Sequence, residues 1–125
     1  MNKKILVVDD SPSIIDLLRI RLGSRGYFVL TACNGKEAMD IYHSQELDLI
    51  ILDITMPEMG GDEVLKTIRK LELAQGIERG KGIPIIMLTV NKEAWMDSFT
   101  DGCSSYVLKT YGGNKILEKV EEALK

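Results

Sequence analysis

Short runs of unbroken apolar residues, each leading to a stretch of helical period, set the strongest limit on how this chain folds. The clearest is Leu49-Ile50-Ile51-Leu52, which ends on Asp53. A run this short fits a strand covered by helices on both faces better than a half-exposed strand with alternating polarity. Pro57 and Gly60-Gly61 then interrupt regular structure. A helix is expected from Gly61 to about Leu73, with Val64, Leu65, Ile68 and Leu71 on one side.

The same unit recurs along the chain. Ile5 to Val8 is apolar and ends on Asp9-Asp10, after which Ser11-Pro12 opens a helix as N-cap and first-turn proline. Ile14, Leu17, Leu18 and Leu22 carry its apolar stripe, and Gly23 to Gly26 close it. Tyr27 to Ala32 reads as a strand and Asn34-Gly35 as a turn. Ala38, Ile41 and Tyr42 then mark the second helix. Ala74 to Gly82 is a polar, glycine-rich loop, longer than the usual connection of about 4–6 residues. Ile85 to Leu88 ends on Thr89, and a helix is expected from about Lys92 to Asp101. Ser105 to Lys109 is a short strand, and Ile116, Leu117, Val120, Ala123 and Leu124 make a fifth helix.

Strands alternating with helices throughout 125 residues argue one doubly wound α/β domain over residues 1–125, with a five-stranded parallel sheet and right-handed crossovers. Parallel strands share one C-terminal edge, where open α/β sheets bind their ligands. Four of the five strands deliver a hydrophilic side chain there: Asp9-Asp10, Asp53, Thr89 and Lys109. That convergence is the main functional signal in the residues themselves.

Composition removes several alternatives. A net charge of −3 offers no basic surface for nucleic acid or anionic lipid. Cys33 and Cys103 lack metal-site spacing and are expected to be reduced packing residues. The apolar run after Lys3-Lys4 stops at Asp9, too soon for a signal peptide, and no other run approaches a membrane span. The expected compartment is the cytoplasm. His43 is expected on a solvated helix face, and Trp95 and Phe99, four apart, as a packed helix pair.

Three carboxylates and one lysine in one cleft leave an excess of negative charge, which a hard divalent cation such as Mg²⁺ would complement. A cation, a lysine and a hydroxyl are the parts that stabilise a transferring phosphoryl group, and an aspartate can be the nucleophile. No glycine-rich phosphate loop follows the first strand.

At this point the chain resembles the receiver domain of two-component response regulators. The resemblance rests on Asp9-Asp10, on Asp53-Ile-Thr-Met-Pro57-Glu-Met-Gly-Gly61, on Thr89, and on Gly102 with Tyr106-Val-Leu-Lys109. It implies a flavodoxin-like sheet in the order 2-1-3-4-5. It also implies that Asp53 accepts a phosphoryl group from a phosphohistidine of a histidine kinase or phosphotransfer protein. Asp10, Asp53 and the Thr55 carbonyl are the implied Mg²⁺ ligands, with Asp9 acting through water. Thr89 and Lys109 would hold phosphoryl oxygens, and Tyr106 would be an aromatic switch. The implied output surface is the face made by the fourth helix, the fifth strand and the fifth helix. The family members are signalling switches that act only on their own phosphoryl group.

Three positions depart from the family pattern: Val90 replaces a small residue after Thr89, Thr110 replaces proline after Lys109, and the Ala74–Gly82 loop is long. The Lys109-Thr110 bond is expected to be trans, with Gly112 and Gly113 absorbing the change of direction. The long loop is expected to bear on partners before chemistry. A Mg²⁺-dependent phosphatase with Asp9 as nucleophile is the first rival. It would call for an Asp-x-Asp pattern and a cap, and the chain has Asp9-Asp10-Ser11. A never-phosphorylated interaction module is the second, and the intact acids and Lys109 weigh against it. The sequence ends at Lys125, which fits either a stand-alone regulator or a receiver cut from a longer protein.

Overall fold

The structure, a computed structural model, describes residues 2–54, 56, 59–89, 102–109 and 113–125. The order of elements is β1 (Lys4–Val8), α1 (Pro12–Gly23), β2 (Phe28–Ala32), α2 (Gly35–Ser44), β3 (Leu49–Asp53), α3 (Gly61–Ala74), β4 (Ile85–Thr89), β5 (Ser105–Leu108) and a C-terminal helix (Gly113–Ala123). All strand pairs are parallel and the sheet runs β2-β1-β3-β4-β5, as the resemblance implied. Four helices are described. The fifth, expected over 92–101, lies outside the described residues, as do Val90, Trp95 and Phe99.

The unbroken apolar runs are explained by two cores, one on each face. Successive strand residues point to opposite faces. Leu6, Val8, Ile50, Leu52, Ile85 and Met87 therefore pack with Val64, Leu65 and Ile68 of α3. Ile5, Val7, Leu49, Ile51, Ile86 and Leu88 pack with Leu18 and Leu22 of α1 and with Ile116, Leu117 and Val120. All five residues of β3 and of β4 are buried. Each fully buried Leu or Ile contributes about 1.5–3 kcal/mol of transfer free energy, so the central strands fix the sheet.

Several local expectations change in the structure. Ser11 is the N-cap of α1, but its side chain makes no capping bond; its backbone N–H instead donates to Asp9 Oδ1 at 2.9 Å. Asn34, expected in a turn, caps α2 by accepting from the Glu37 N–H at 2.8 Å. The Glu37 carboxylate in turn accepts from the N–H of Cys33, the residue before the cap, at 2.8 Å. Cys33 is exposed, not a packing residue, whereas Cys103 is buried; both are free thiols. Gly113 starts the last helix, so it does not serve as loop backbone. His43 is exposed, as expected. Leu71 is only half-buried, and the buried position on that side of α3 is taken by Glu72.

Candidate functional site

Pairing register brings the strand ends into line. Val8 is opposite Leu52, Asp53 opposite Leu88, and Thr89 opposite Leu108, so the residues that follow or end these strands meet on one edge. Asp9 is fully buried, anchored by its own N–H to the Ala32 carbonyl at 3.1 Å. Asp53 is 2% exposed and Thr89 3% exposed, whereas Asp10 is open to solvent.

Lys109 follows β5 and reaches back over this edge. Its Nζ lies 3.1 Å from Asp9 Oδ2 and 3.1 Å from Asp53 Oδ1. Burial opposes the ammonium charge, but the hydrogen bonds and charges of Asp9 and Asp53 outweigh it and hold the Lys109 pKa above its ordinary value.

One carboxylate oxygen from each of Asp9, Asp10 and Asp53 lies within 4.8 Å of the others. Three anionic oxygen donors against one ammonium leave the cluster short of two positive charges. An all-oxygen, partly solvated donor set of this kind fits a hard divalent cation. Two of the three acids are shielded from water, which strengthens their repulsion when no cation is present.

The structure thus gathers Asp9, Asp10, Asp53 and Lys109 into one cluster and places Thr89 on the same edge. Tyr106 is set back from it, half-buried on β5 opposite Met87 and packed against the core on the α2/α3 side. Thr55 and the Lys109-Thr110 bond lie outside the described residues.

Two supporting contacts were not foreseen from the sequence, one at Gly61 and one at Glu72. Gly61 packs onto the carbonyl of Asp53, where a Cβ would stand 1.9 Å from the oxygen. Glu72 is 5% exposed and accepts from the Ile83 N–H and Arg69 Nη1, both at 2.7 Å. An acid seven residues from apolar Leu65 and four from Ile68 was its signal, since Leu65, Ile68 and Glu72 fall on one helical stripe.

A sheet of this order, with buried acids and a lysine at its carboxyl edge, defines a doubly wound protein with a charged cleft where such folds bind ligands. Residues 5–121 match the family model of the response regulator receiver domain, and the chain belongs to that family. It is 36% identical over 127 aligned positions to the alkaline phosphatase synthesis transcriptional regulatory protein PhoP of Bacillus subtilis, covering all of this chain and 50% of that protein. It thus spans about half the length of the curated relatives it matches. The fold is similar to that of chemotaxis protein CheY4 of Vibrio cholerae (TM-score 0.86, 30% identity, 99% of this chain and 100% of that one). It is also similar to response regulator TrrA of Thermotoga maritima, whose structure is a complex with Mg(2+)-BeF (TM-score 0.84, 38% identity, 98% and 99% covered). Receiver domains are phosphorylation-dependent signalling switches of two-component systems. No helix among the described residues is long and apolar enough to cross a membrane.

Proposed function

We propose that Asp53 is the phosphoryl acceptor of this domain and that its chemistry is Mg²⁺-dependent. The observation that carries the reading is the position of Asp53: a buried carboxylate at the end of the central strand, 3.1 Å from Lys109 and grouped with two further acids. An Asp53 oxygen attacks the phosphorus of a phosphohistidine on a histidine kinase or phosphotransfer protein. The O–P bond forms as the P–N bond breaks, and the electron pair leaves with the imidazole nitrogen, which regains a proton from solvent. Lys109 neutralises charge on the phosphoryl oxygens, and the Thr89 hydroxyl donates to one of them.

Asp10, Asp53 and the Thr55 carbonyl would hold Mg²⁺ directly, with Asp9 acting through water. When bound, the ion neutralises the acids and the incoming phosphoryl oxygens. The Mg(2+)-BeF complex of the TrrA relative supports a Mg²⁺ requirement. Tyr106, beside the core on β5, is the proposed switch residue, signalling to the face of the 92–101 segment, β5 and the C-terminal helix. Turnover is confined to the domain's own phosphoryl group. Two free cysteines suit the reducing cytoplasm, and no nucleic-acid or membrane partner is assigned to this domain.

Incubation with acetyl phosphate and Mg²⁺ tests the reading by intact-mass measurement. One base-labile phosphoryl group should appear, and Asp53→Ala should remove it. Equal labelling of the variant would refute the assignment.

A further inference from the structure

The long loop after α3 has no part in the chemistry above, yet it borders a cavity of about 640 Å³. Its walls are the end of α3, the loop through Gly82, and the Gly102–Ser104 turn that enters β5. This is the amino edge of the sheet, and a five-residue strand at about 3.3 Å per residue puts it roughly 15 Å from the acids.

The cavity is held open by a built frame. Buried Glu72 fastens the Ile83 N–H on one wall and the Arg69 guanidinium beneath it. Arg69 Nε donates to the Gly102 carbonyl at 2.9 Å on the other wall. A Cβ at Gly82 would fall 2.1 Å from the Glu72 carboxylate, so any larger residue there would displace that side chain from its partners. The loop turns at Gly76 and Gly80, with φ of 85° and 83°, a region that favours glycine. Its shape is therefore set before any ligand arrives, which is the condition for small-molecule affinity.

The lining shows what would fill it. Lys66, Arg69, Lys70 and Arg79 face two acids, Glu72 and Glu78, and Arg69 is already paired with Glu72. Lys70 and Arg79 make no ion pair among the described residues. This cationic rim stands on a chain of net charge −3. Within the cavity lie Ile77 and Leu73, the latter 52% exposed and one of three large apolar side chains so open among the described residues. Volumes of about 300–1,000 Å³ with an apolar lining and a few polar groups are those of small-molecule sites.

We propose that this cavity binds a small organic anion, with its apolar body on Leu73 and Ile77 and its phosphate or carboxylate on Lys70 and Arg79. The site is separate from the phosphoryl acceptor, and its wall continues into β5, the strand that carries Tyr106 and precedes Lys109.

The probe is anilinonaphthalene sulfonate, a flat apolar anion, titrated into the folded full chain at low salt and followed by fluorescence. Saturable binding at one site is expected. The double variant Lys70→Glu, Arg79→Glu should weaken it at least tenfold, and so should Leu73→Glu. All three positions are exposed, and circular dichroism verifies that the variants fold. Lys36→Glu, a charge reversal on α2 away from the cavity, should shift affinity less than twofold, and the uncharged phenylnaphthylamine should bind at least tenfold more weakly. Unchanged affinity in both cavity variants overturns the proposal. So does an equal loss in Lys36→Glu, or binding of the uncharged dye as tight as that of the sulfonate.

Discussion

Gly61 closes against the main chain of Asp53 so tightly that a methyl group at Gly61 would lie 1.9 Å from the Asp53 carbonyl oxygen. The Gly61 N–H also donates to the Ile54 carbonyl at 3.0 Å. The first turn of α3 is thereby seated directly on the strand end that presents the acceptor carboxylate.

Gly61→Ala should therefore do more than perturb a helix start. Backbone must move to admit the methyl, and overpacking of this kind costs about 1–3 kcal/mol. Urea denaturation should show that loss, and phosphorylation by acetyl phosphate should slow, because the shift is transmitted to Asp53. A variant with wild-type stability would show that the contact relaxes without strain.

Metal affinity should separate the two adjacent acids. Asp9 already has Lys109 as counter-charge and accepts the Ser11 N–H, while Asp10 is exposed and makes no ion pair among the described residues. Asp10→Asn should lower Mg²⁺ affinity by at least the ~10–100-fold seen for losing an outer-shell partner, and Asp9→Asn by less. Calorimetry measures both. The reverse order would exchange the proposed direct and water-mediated roles.

Glu72 should be worth more to stability than any surface ion pair on the molecule. Glu72→Ala strands the Ile83 N–H and the Arg69 guanidinium, which at 20% side-chain exposure can partly recover water. With about 1.5–3 kcal/mol per hydrogen bond to a charged group, discounted for that exposure, the expected cost is roughly 2–4 kcal/mol. By contrast, Arg19→Ala should cost no more than about 1 kcal/mol, because its pair with Asp16 is exposed. Thermal melts of the two variants side by side make the comparison.

Cys33 should be a sluggish thiol. The hydrogen bond that its thiol donates to Glu37 Oε1, with lesser contributions from desolvation and the Glu37 charge, raises its pKa above the ordinary value. The thiolate is the reactive form, so at mildly alkaline pH less of it is present than for an ordinary exposed cysteine. Its alkylation rate should climb with pH to a midpoint above the usual thiol range. Glu37→Gln should move that midpoint down and speed labelling by iodoacetamide. Faster labelling of the parent chain than of the variant would contradict the assigned cause.

What the sequence determined by itself was the sheet and its functional edge. Three strands that are apolar throughout, over 5–8, 49–52 and 85–88, are best buried between two helical layers, and parallel strands must place Asp9-Asp10, Asp53, Thr89 and Lys109 on one edge. Period and strand ends are local properties, and they were legible. The strand order came from the resemblance, and the register that aligns Asp53 with Leu88 supports it.

Tertiary structure decided the rest, because it depends on which groups meet across long sequence separations. The 3.1 Å pairing of Lys109 with both Asp9 and Asp53 joins residues from three elements. The exposure of Cys33 follows from the Asn34 cap, which turns the chain outward before α2. Glu72 sits on an apolar stripe, where burial would ordinarily exclude an acid. It is held there only because the Ile83 amide, eleven residues on, and Arg69 supply the hydrogen bonds that offset its desolvation.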